Sequence, residues 1–259
     1  MARLTFLGTG TSQGVPVIGC RCEVCTSADK RDNRLRTAAM VEVEGKRIVI
    51  DAGPDFRQQM LRENVSQLDA ILCTHHHKDH TGGIDDVRAF NFIRYPEICP
   101  VDIYATPKTA CSLRKDYDYA FAEHKYIGVP ELRLHEIDTA HNFEVCGVKI
   151  TPIKGTHAPG LEVVGYRIGA MAYLTDFKHI EPEEVEKLMG VEHLVVNALR
   201  FEPHHSHFNV KEALALIGKV APTRAYLTHV SHRMGQYQQV EKTLPDGVIL
   251  AYDGLRFEF

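Results

Sequence analysis

Residues 74–80 read THHHKDH, four histidines and one aspartate in seven positions. The plain reading of such a run is a solvated polar loop. The alternative is a metal site, and the spacing favours it: His75-x-His77-x-Asp79-His80 follows the apolar run AILCT and precedes Thr-Gly-Gly and a helix-like segment. Imidazole and carboxylate together suit Zn, Mn or Fe. An isolated HxH would say little, whereas HxHxDH at the exit of a strand is specific. Side chains from one short loop cannot all surround a single ion, so the motif implies two ions and further ligands from elsewhere. His157 in ITPIKGTH, Asp176 in MAYLTD and His229 in AYLTHVS share one local setting, the end of an apolar strand. Taken singly, each reads as a cap or turn residue. Their succession after HxHxDH points to one shared site.

The rest of the composition is that of an ordinary globular protein. The chain has 259 residues, 44% hydrophobic and 25% charged, with a formal net charge of −4. Such a length can bury a large core. The negative balance argues against a large nucleic-acid partner, which would call for a basic excess. No apolar run approaches the length of a membrane span, so no membrane association is expected. The opening MARLTFLGTG reads as a strand entering a Gly turn, not as a secretory leader. Seven cysteines, an odd number with three clustered, argue against a disulfide framework and for a reducing, cytoplasmic setting.

Strand-like runs recur along the chain at 3–8, 37–45, 47–53, 70–75, 101–106, 132–137, 145–157, 161–168, 171–176, 193–199, 224–230 and 248–259. Some alternate apolar and polar residues; others are nearly continuous apolar runs, as strands covered on both faces are. Helix-like segments at 54–64, 82–93, 181–190 and 209–220 lie between them, the last opening with Asn209 and Glu212 as a capping box. The pattern predicts a sheet-on-sheet sandwich with helices outside, one domain over 1–259, and a surface excursion at 107–128.

GCRCEVC (19–25) places Cys20, Cys22 and Cys25 in a Gly- and Pro-rich loop. Three thiols so close are a zinc signature that lacks its fourth ligand. Redox chemistry at Cys22-x-x-Cys25 is the alternative, but the loop has no thioredoxin-like strand–helix setting. Cys73, Cys99, Cys111 and Cys146 read as packing residues.

These motifs resemble those of the metallo-β-lactamase superfamily over essentially the whole chain. The resemblance implies an α/β fold, the four-layer αββα sandwich, with a binuclear site at one edge. It implies that His75, His77 and His157 hold one metal, that Asp79, His80 and His229 hold the other, and that Asp176 bridges them. Aspartate at the bridging position is similar to the hydrolase and phosphodiesterase branches. Asp51 in VIDAG matches an aspartate that buttresses the histidine loop; His76 matches no ligand. GTGTSQGVPVIGCRCEVC (8–25) resembles GTGxxQGVPxxGCxCxxC of the phosphodiesterases of the carbon–phosphorus lyase pathway, which open phosphoribosyl cyclic phosphate. That subgroup implies His232, in THVSH, as the fourth ligand of a structural zinc. It implies His207, aligned through the following Leu-Ala-Leu, as the group that touches the scissile phosphate or assists the leaving oxygen. Asp85 and Asp86 of GGIDDVR would brace the metal loop.

The expected activity is metal-dependent hydrolysis of a small cyclic or linear phosphodiester, with phosphoribosyl 1,2-cyclic phosphate, a cyclic nucleotide or a short oligonucleotide as substrate. Asp79 and His207 would act in the chemistry. Two divalent ions, Zn or Mn, would serve the catalytic site and one Zn the cysteine loop. A homodimer is compatible provided the motif face stays accessible. Arg94, Tyr95, His124 and Arg200 are further groups able to meet a phosphate. Segments 107–128 and 199–207 depart from the subgroup, and they would shape the pocket. Three other readings compete. A tRNA 3′-processing nuclease would need a basic, Gly/Pro-rich arm that the sequence lacks. A thioester hydrolase shares the scaffold. A non-catalytic zinc protein of quinone-cofactor synthesis shares the cysteine loop but would be expected to lose part of the catalytic set.

Overall fold

The computed structural model describes residues 2–259. Fourteen strands, β1 (Arg3–Gly8), β2 (Ala38–Val43), β3 (Lys46–Ile50), β4 (Ala70–Leu72), β5 (Val101–Ala105), β6 (Leu132–Glu136), β7 (Phe143–Val145), β8 (Val148–Ala158), β9 (Leu161–Ile168), β10 (Met171–Leu174), β11 (His193–Asn197), β12 (Arg224–Thr228), β13 (Val248–Leu250) and β14 (Arg256–Glu258), account for the described β-structure. They form two seven-stranded sheets, ordered β14-β1-β2-β3-β4-β5-β6 and β13-β12-β11-β10-β9-β8-β7. Each sheet is antiparallel in one half and parallel in the other, with β3 to β6 parallel in the first and β10 to β13 parallel in the second.

The near-continuous apolar strands are explained by cover on both faces. Along β2 and β3, Ala39, Val41, Ile48 and Ile50 face the other sheet, where they meet Val164, Tyr166, Met171 and Tyr173. The intervening Met40 and Val49 face outward onto Phe56 and Met60 of the helix Phe56–Arg62. On the second sheet, Leu174, Leu194, Val196 and Leu227 bury the apolar face of the helix Val210–Val220, through Val210, Ala213, Leu216 and Val220. The layers are therefore helix, sheet, sheet, helix, the αββα sandwich. The predicted capping box is present: Asn209 accepts from the Glu212 backbone N–H and Glu212 accepts from that of Asn209, each at 2.9 Å.

Several expected elements differ. The stretch 107–128 is not merely an excursion. It contains the helices Pro107–Asp116 and Asp118–Phe121, which bury Ala110, Leu113, Tyr117 and Ala120 against the first sheet. The single strand expected at 145–157 is the hairpin β7–β8, turned at Cys146 and Gly147 (φ 53° and 86°). The run 248–259 splits into β13 and β14, which belong to different sheets. The helix expected at 82–93 is a 3₁₀ turn, Ile84–Val87, followed by one α turn, Arg88–Asn91.

Candidate metal centre

Ligands in open parallel sheets gather at the carboxyl ends of the strands, and the sequence motifs converge there. β3 runs out at Asp51, β4 leads into the histidine run, β10 leads to Asp176 and β12 to His229; β8 contributes His157 near its end. Asp51, Asp176 and His229 all have positive φ (65°, 63° and 56°). Non-glycine residues seldom occupy the left-handed region, and they cluster where surrounding structure forces a functional geometry. Here the turn aims each side chain back over the edge of the sandwich. Gly53 lets the histidine run pack close, since a Cβ there would lie 2.0 Å from the Asp79 carbonyl oxygen.

Asp176 is the hub. Its Oδ2 lies 3.3 Å from His80 Nε2 and 3.2 Å from His229 Nδ1, and its Oδ1 lies 4.0 Å from His157 Nε2 and 3.6 Å from His207 Nδ1. His80 Nε2 is also 3.1 Å from Asp79 Oδ2. Candidate ligand atoms of His75, His77 and His157 fall within 4.8 Å of one another, as do those of His75, His80 and Asp176 and those of His157, Asp176 and His207. His75, His80, His157 and His229 thus gather around one carboxylate, with His77 joined to them beside His75 and His157 and Asp79 beside His80. Two details differ from the expected partition. His75 neighbours both halves of the cluster, and His207 comes close enough to count among the ligand-capable groups.

The donor set suits divalent cations. His75 Nε2, His80 Nε2 and His207 Nδ1 are buried with no hydrogen-bond partner, a rare condition that calls for an explanation. Their opposite nitrogens are occupied or oriented. His80 Nδ1 donates to Asp51 Oδ2 at 2.7 Å, and His157 Nδ1 donates to the Ser206 carbonyl at 2.7 Å, which turns each Nε2 toward the cluster. Asp51 is itself fixed by the Thr74 N–H and hydroxyl, both at 2.8 Å. Burial pushes His75 and His229 below the ordinary imidazole range and His207 down to about 2. Burial also opposes a charge on His80, but Asp176, Asp51 and Asp79 outweigh it and hold that imidazole well above its usual value. Burial likewise opposes ionisation of Asp176, and His229, His80 and His207 outweigh it and hold the carboxyl well below its usual range. The carboxylates that favour positive charge at His80 make a field into which a divalent cation fits, and an ion there would take the place of the ring proton.

A second cluster joins the ends of the chain. Cys20, Cys22 and Cys25 Sγ lie 3.2, 3.5 and 3.5 Å from His232 Nδ1, so the residue expected from resemblance is the one that completes the set. The Cys25 backbone N–H lowers the Cys22 thiol to about 6, while burial raises the Cys25 thiol to about 11; a bound zinc would favour the thiolate at each. The same N-terminal loop reaches the first cluster. Thr11 N donates to the Val230 carbonyl at 3.0 Å, and Thr11 Oγ1 lies 3.3 Å from His229 Nε2.

Sequence reading missed the threonines. Each of His75, His157, Asp176 and His229 follows a Thr, at 74, 156, 175 and 228. Thr74 bonds Asp51, and Thr175 Oγ1 donates to Asp176 Oδ2 at 2.7 Å. The recurring Thr-His and Thr-Asp pairs at strand exits were a visible signal. Arg94, Tyr95 and His124 are exposed surface residues. Of the cysteines expected to pack, only Cys73 is buried; Cys99 is half-buried, and Cys111 and Cys146 are exposed. No helix among the described residues is long and apolar enough to cross a membrane.

Comparison with known proteins agrees with this geometry. Residues 46–230 match the model of the beta-lactamase superfamily domain. An octanoyltransferase of Porphyromonas gingivalis is 40% identical over 98% of this chain, which spans only 51% of that protein's length. A solved diphosphatase of the PhnP family is 40% identical, covers 100% of this chain and 97% of its own, and superposes with a TM-score of 0.92. Zn-bound PqqB from Methylobacterium extorquens, at 18% identity, covers 99% of this chain and 100% of its own with a TM-score of 0.79 and shares the fold. Motif, fold and full-length similarity agree, and the chain belongs to the beta-lactamase superfamily and, within it, to the PhnP family.

Proposed function

We propose that this metal-dependent hydrolase cleaves phosphodiesters. The observation that carries the reading is the gathering of His75, His80, His157 and His229 around Asp176, with His77 and Asp79 beside them and buried imidazole nitrogens left without partners. In this reading His75, His77 and His157 hold one divalent ion, Asp79, His80 and His229 hold a second, and Asp176 serves both. Zn or Mn suits these nitrogen and oxygen donors. Cys20, Cys22, Cys25 and His232 hold a structural Zn. Bound there, the two ions would supply Lewis acidity toward a phosphate and lower the pKa of water.

The chain's own groups do the rest. Asp51 and Ser206 fix the orientations of His80 and His157. Burial keeps His207 neutral, so its ring offers an N–H, not a full positive charge, to the phosphate or the departing oxygen. The small, negatively charged chain suits a small diester better than a long nucleic acid. A second reading, cleavage of the phosphoric anhydride of a diphosphate, is favoured by the 40% identity to a diphosphatase; both readings use the same attack on phosphorus. The test is hydrolysis of bis(p-nitrophenyl) phosphate by Mn- or Zn-loaded protein beside Asp79→Ala. Metal-dependent turnover that the variant loses supports the proposal. No turnover on any diester with both metal clusters filled refutes it.

A further inference from the structure

The turn that carries His207 holds more than the mechanism above uses. It leaves the carboxyl end of β11 and runs through Arg200, Glu202, His204, His205 and Ser206. Four imidazoles form a column from the metal cluster outward. The rings of His229 and His207 lie 4.8 Å apart at 26°, those of His207 and His204 5.2 Å at 27°, and those of His204 and His205 4.2 Å at 36°. Exposure rises along the column, from 1% at His229 and 9% at His207 to a half-buried His204 and an exposed His205.

The outer two rings differ from three of the protein's other surface histidines. His135, His141 and His179 each face a carboxylate, Asp102, Asp138 and Glu181. His204 and His205 face none among the described residues. The backbone N–H of Ser206 approaches His204 Nδ1 at 3.4 Å and its hydroxyl lies at 3.2 Å. An accepting Nδ1 puts the ring proton on Nε2, which becomes a donor. Two guanidiniums stand behind the turn. Arg200 donates from Nη2 to the Pro203 carbonyl at 3.2 Å, and its Nε is buried without a hydrogen-bond partner. Arg200 and Arg233 share a single carboxylate, Glu202, at 3.6 and 4.0 Å. In a chain with a net charge of −4, this mouth is a local excess of cations and N–H donors next to the cluster.

We propose that the turn 200–207 is an outer anion subsite: His204 and His205, with Arg200 and Arg233 behind them, bind a second phosphate of the substrate beyond the scissile one. The proposal rests on the second reading above, cleavage of a phosphoric anhydride, and deepens it by naming the groups that would hold the phosphate on the leaving side of a substrate such as a dinucleoside diphosphate. The reaction then balances as hydrolysis. The oxygen of water bonds to the inner phosphorus, the bond from that phosphorus to the bridging oxygen breaks with its electron pair, and the two protons of water are shared between the product phosphates and solvent. His207, between the cluster and His204, stands beside the bridging oxygen.

The test compares two substrates, P1,P2-di(adenosine-5′) diphosphate and bis(p-nitrophenyl) phosphate, for the Mn-loaded wild type and the double variant His204→Ala/His205→Ala. The readout is the ratio of their kcat/KM values. A roughly tenfold fall in that ratio supports the subsite. An equal fall on both substrates assigns the turn only to supporting His207 and overturns it, as does an unchanged ratio. If the double variant does not fold, Arg233→Glu, at an exposed position, takes its place with the same expectations. Calorimetric titration with inorganic pyrophosphate separates the two readings. Where the wild type hydrolyses neither substrate, the reading of the centre as a phosphoryl hydrolase has failed, and the subsite still stands or falls on whether the variants bind pyrophosphate about tenfold more weakly or equally well.

Discussion

Asp51→Asn tests the metal centre through a residue that would touch no metal. Asp51 is fully buried and only accepts: the Thr74 N–H and hydroxyl at 2.8 Å each, and His80 Nδ1 at 2.7 Å. Asparagine has nearly the same shape but presents one acceptor and one donor group. If its NH₂ faces His80, the imidazole must move its proton to Nε2, and an Nε2–H cannot bind a cation. If its NH₂ faces Thr74 instead, the amide opposes a buried backbone N–H at 2.8 Å, and the turn carrying the histidine run must shift. Both outcomes spoil the same ligand. Loss of such a supporting partner lowers metal affinity 10- to 100-fold, or about 1.4–2.7 kcal/mol. The assay is metal content by elemental analysis after dialysis against graded chelator, with circular dichroism to confirm folding. The cluster at Cys20, Cys22, Cys25 and His232 should keep its Zn in the same sample and acts as an internal control. A folded Asp51→Asn protein that binds its catalytic ions within twofold of wild type would refute the argument.

Three further outcomes are expected. Gly53→Ala puts a methyl group 2.0 Å from the Asp79 carbonyl oxygen. It should cost about 1–3 kcal/mol in urea unfolding and release metal, whereas Gly218→Ala, in open space, should do neither. Asn209→Ala removes one arm of the capping box and should cost about 0.5–2 kcal/mol, read as a shift of the urea midpoint at constant slope. Burial opposes the charge on Glu63, but Arg256 and Arg62 outweigh it and hold the carboxyl below its ordinary range. Its ionised form therefore contributes stability above the unfolded carboxyl pKa, and the contribution is lost as pH falls through the folded one. Wild type should exceed Glu63→Gln in stability near pH 6, and the gap should close toward pH 3 in parallel urea titrations.

Much of the centre was legible because its chemistry is concentrated and its setting repeats. HxHxDH needs no folding to be recognised, and the later ligands share one syntax, an apolar run ending at His or Asp. That syntax works because the strands are parallel and their carboxyl ends meet at one edge. Elements whose identity depends on tertiary contacts were harder to read. The helix Pro107–Asp116 mixes Lys108, Arg114 and Lys115 with only a narrow apolar stripe, and it gains its place from what Ala110 and Leu113 bury. The β7–β8 hairpin was hidden because its turn, Cys146–Gly147, lies inside a valine-rich run, although Gly at a positive φ is the usual mark of such a turn. The separation of β13 from β14 follows the Asp253–Gly254 turn and cannot be inferred without knowing that there are two sheets. The outer histidines 204 and 205 matched no motif, and only ring geometry relates them to the cluster.

The left-handed backbone at Asp51, Asp176 and His229 sets a conflict between durability and use. Each such residue holds about 1–3 kcal/mol of conformational strain, so the fold carries its centre as an elastic load. Glycine would relieve that load at any of the three positions and would remove a ligand or its support in the same step. Selection for heat resistance alone should therefore drift toward Gly or Asn at these positions and disarm the protein while strengthening it. A lineage that keeps Asp, Asp and His there is one in which the centre is still in service.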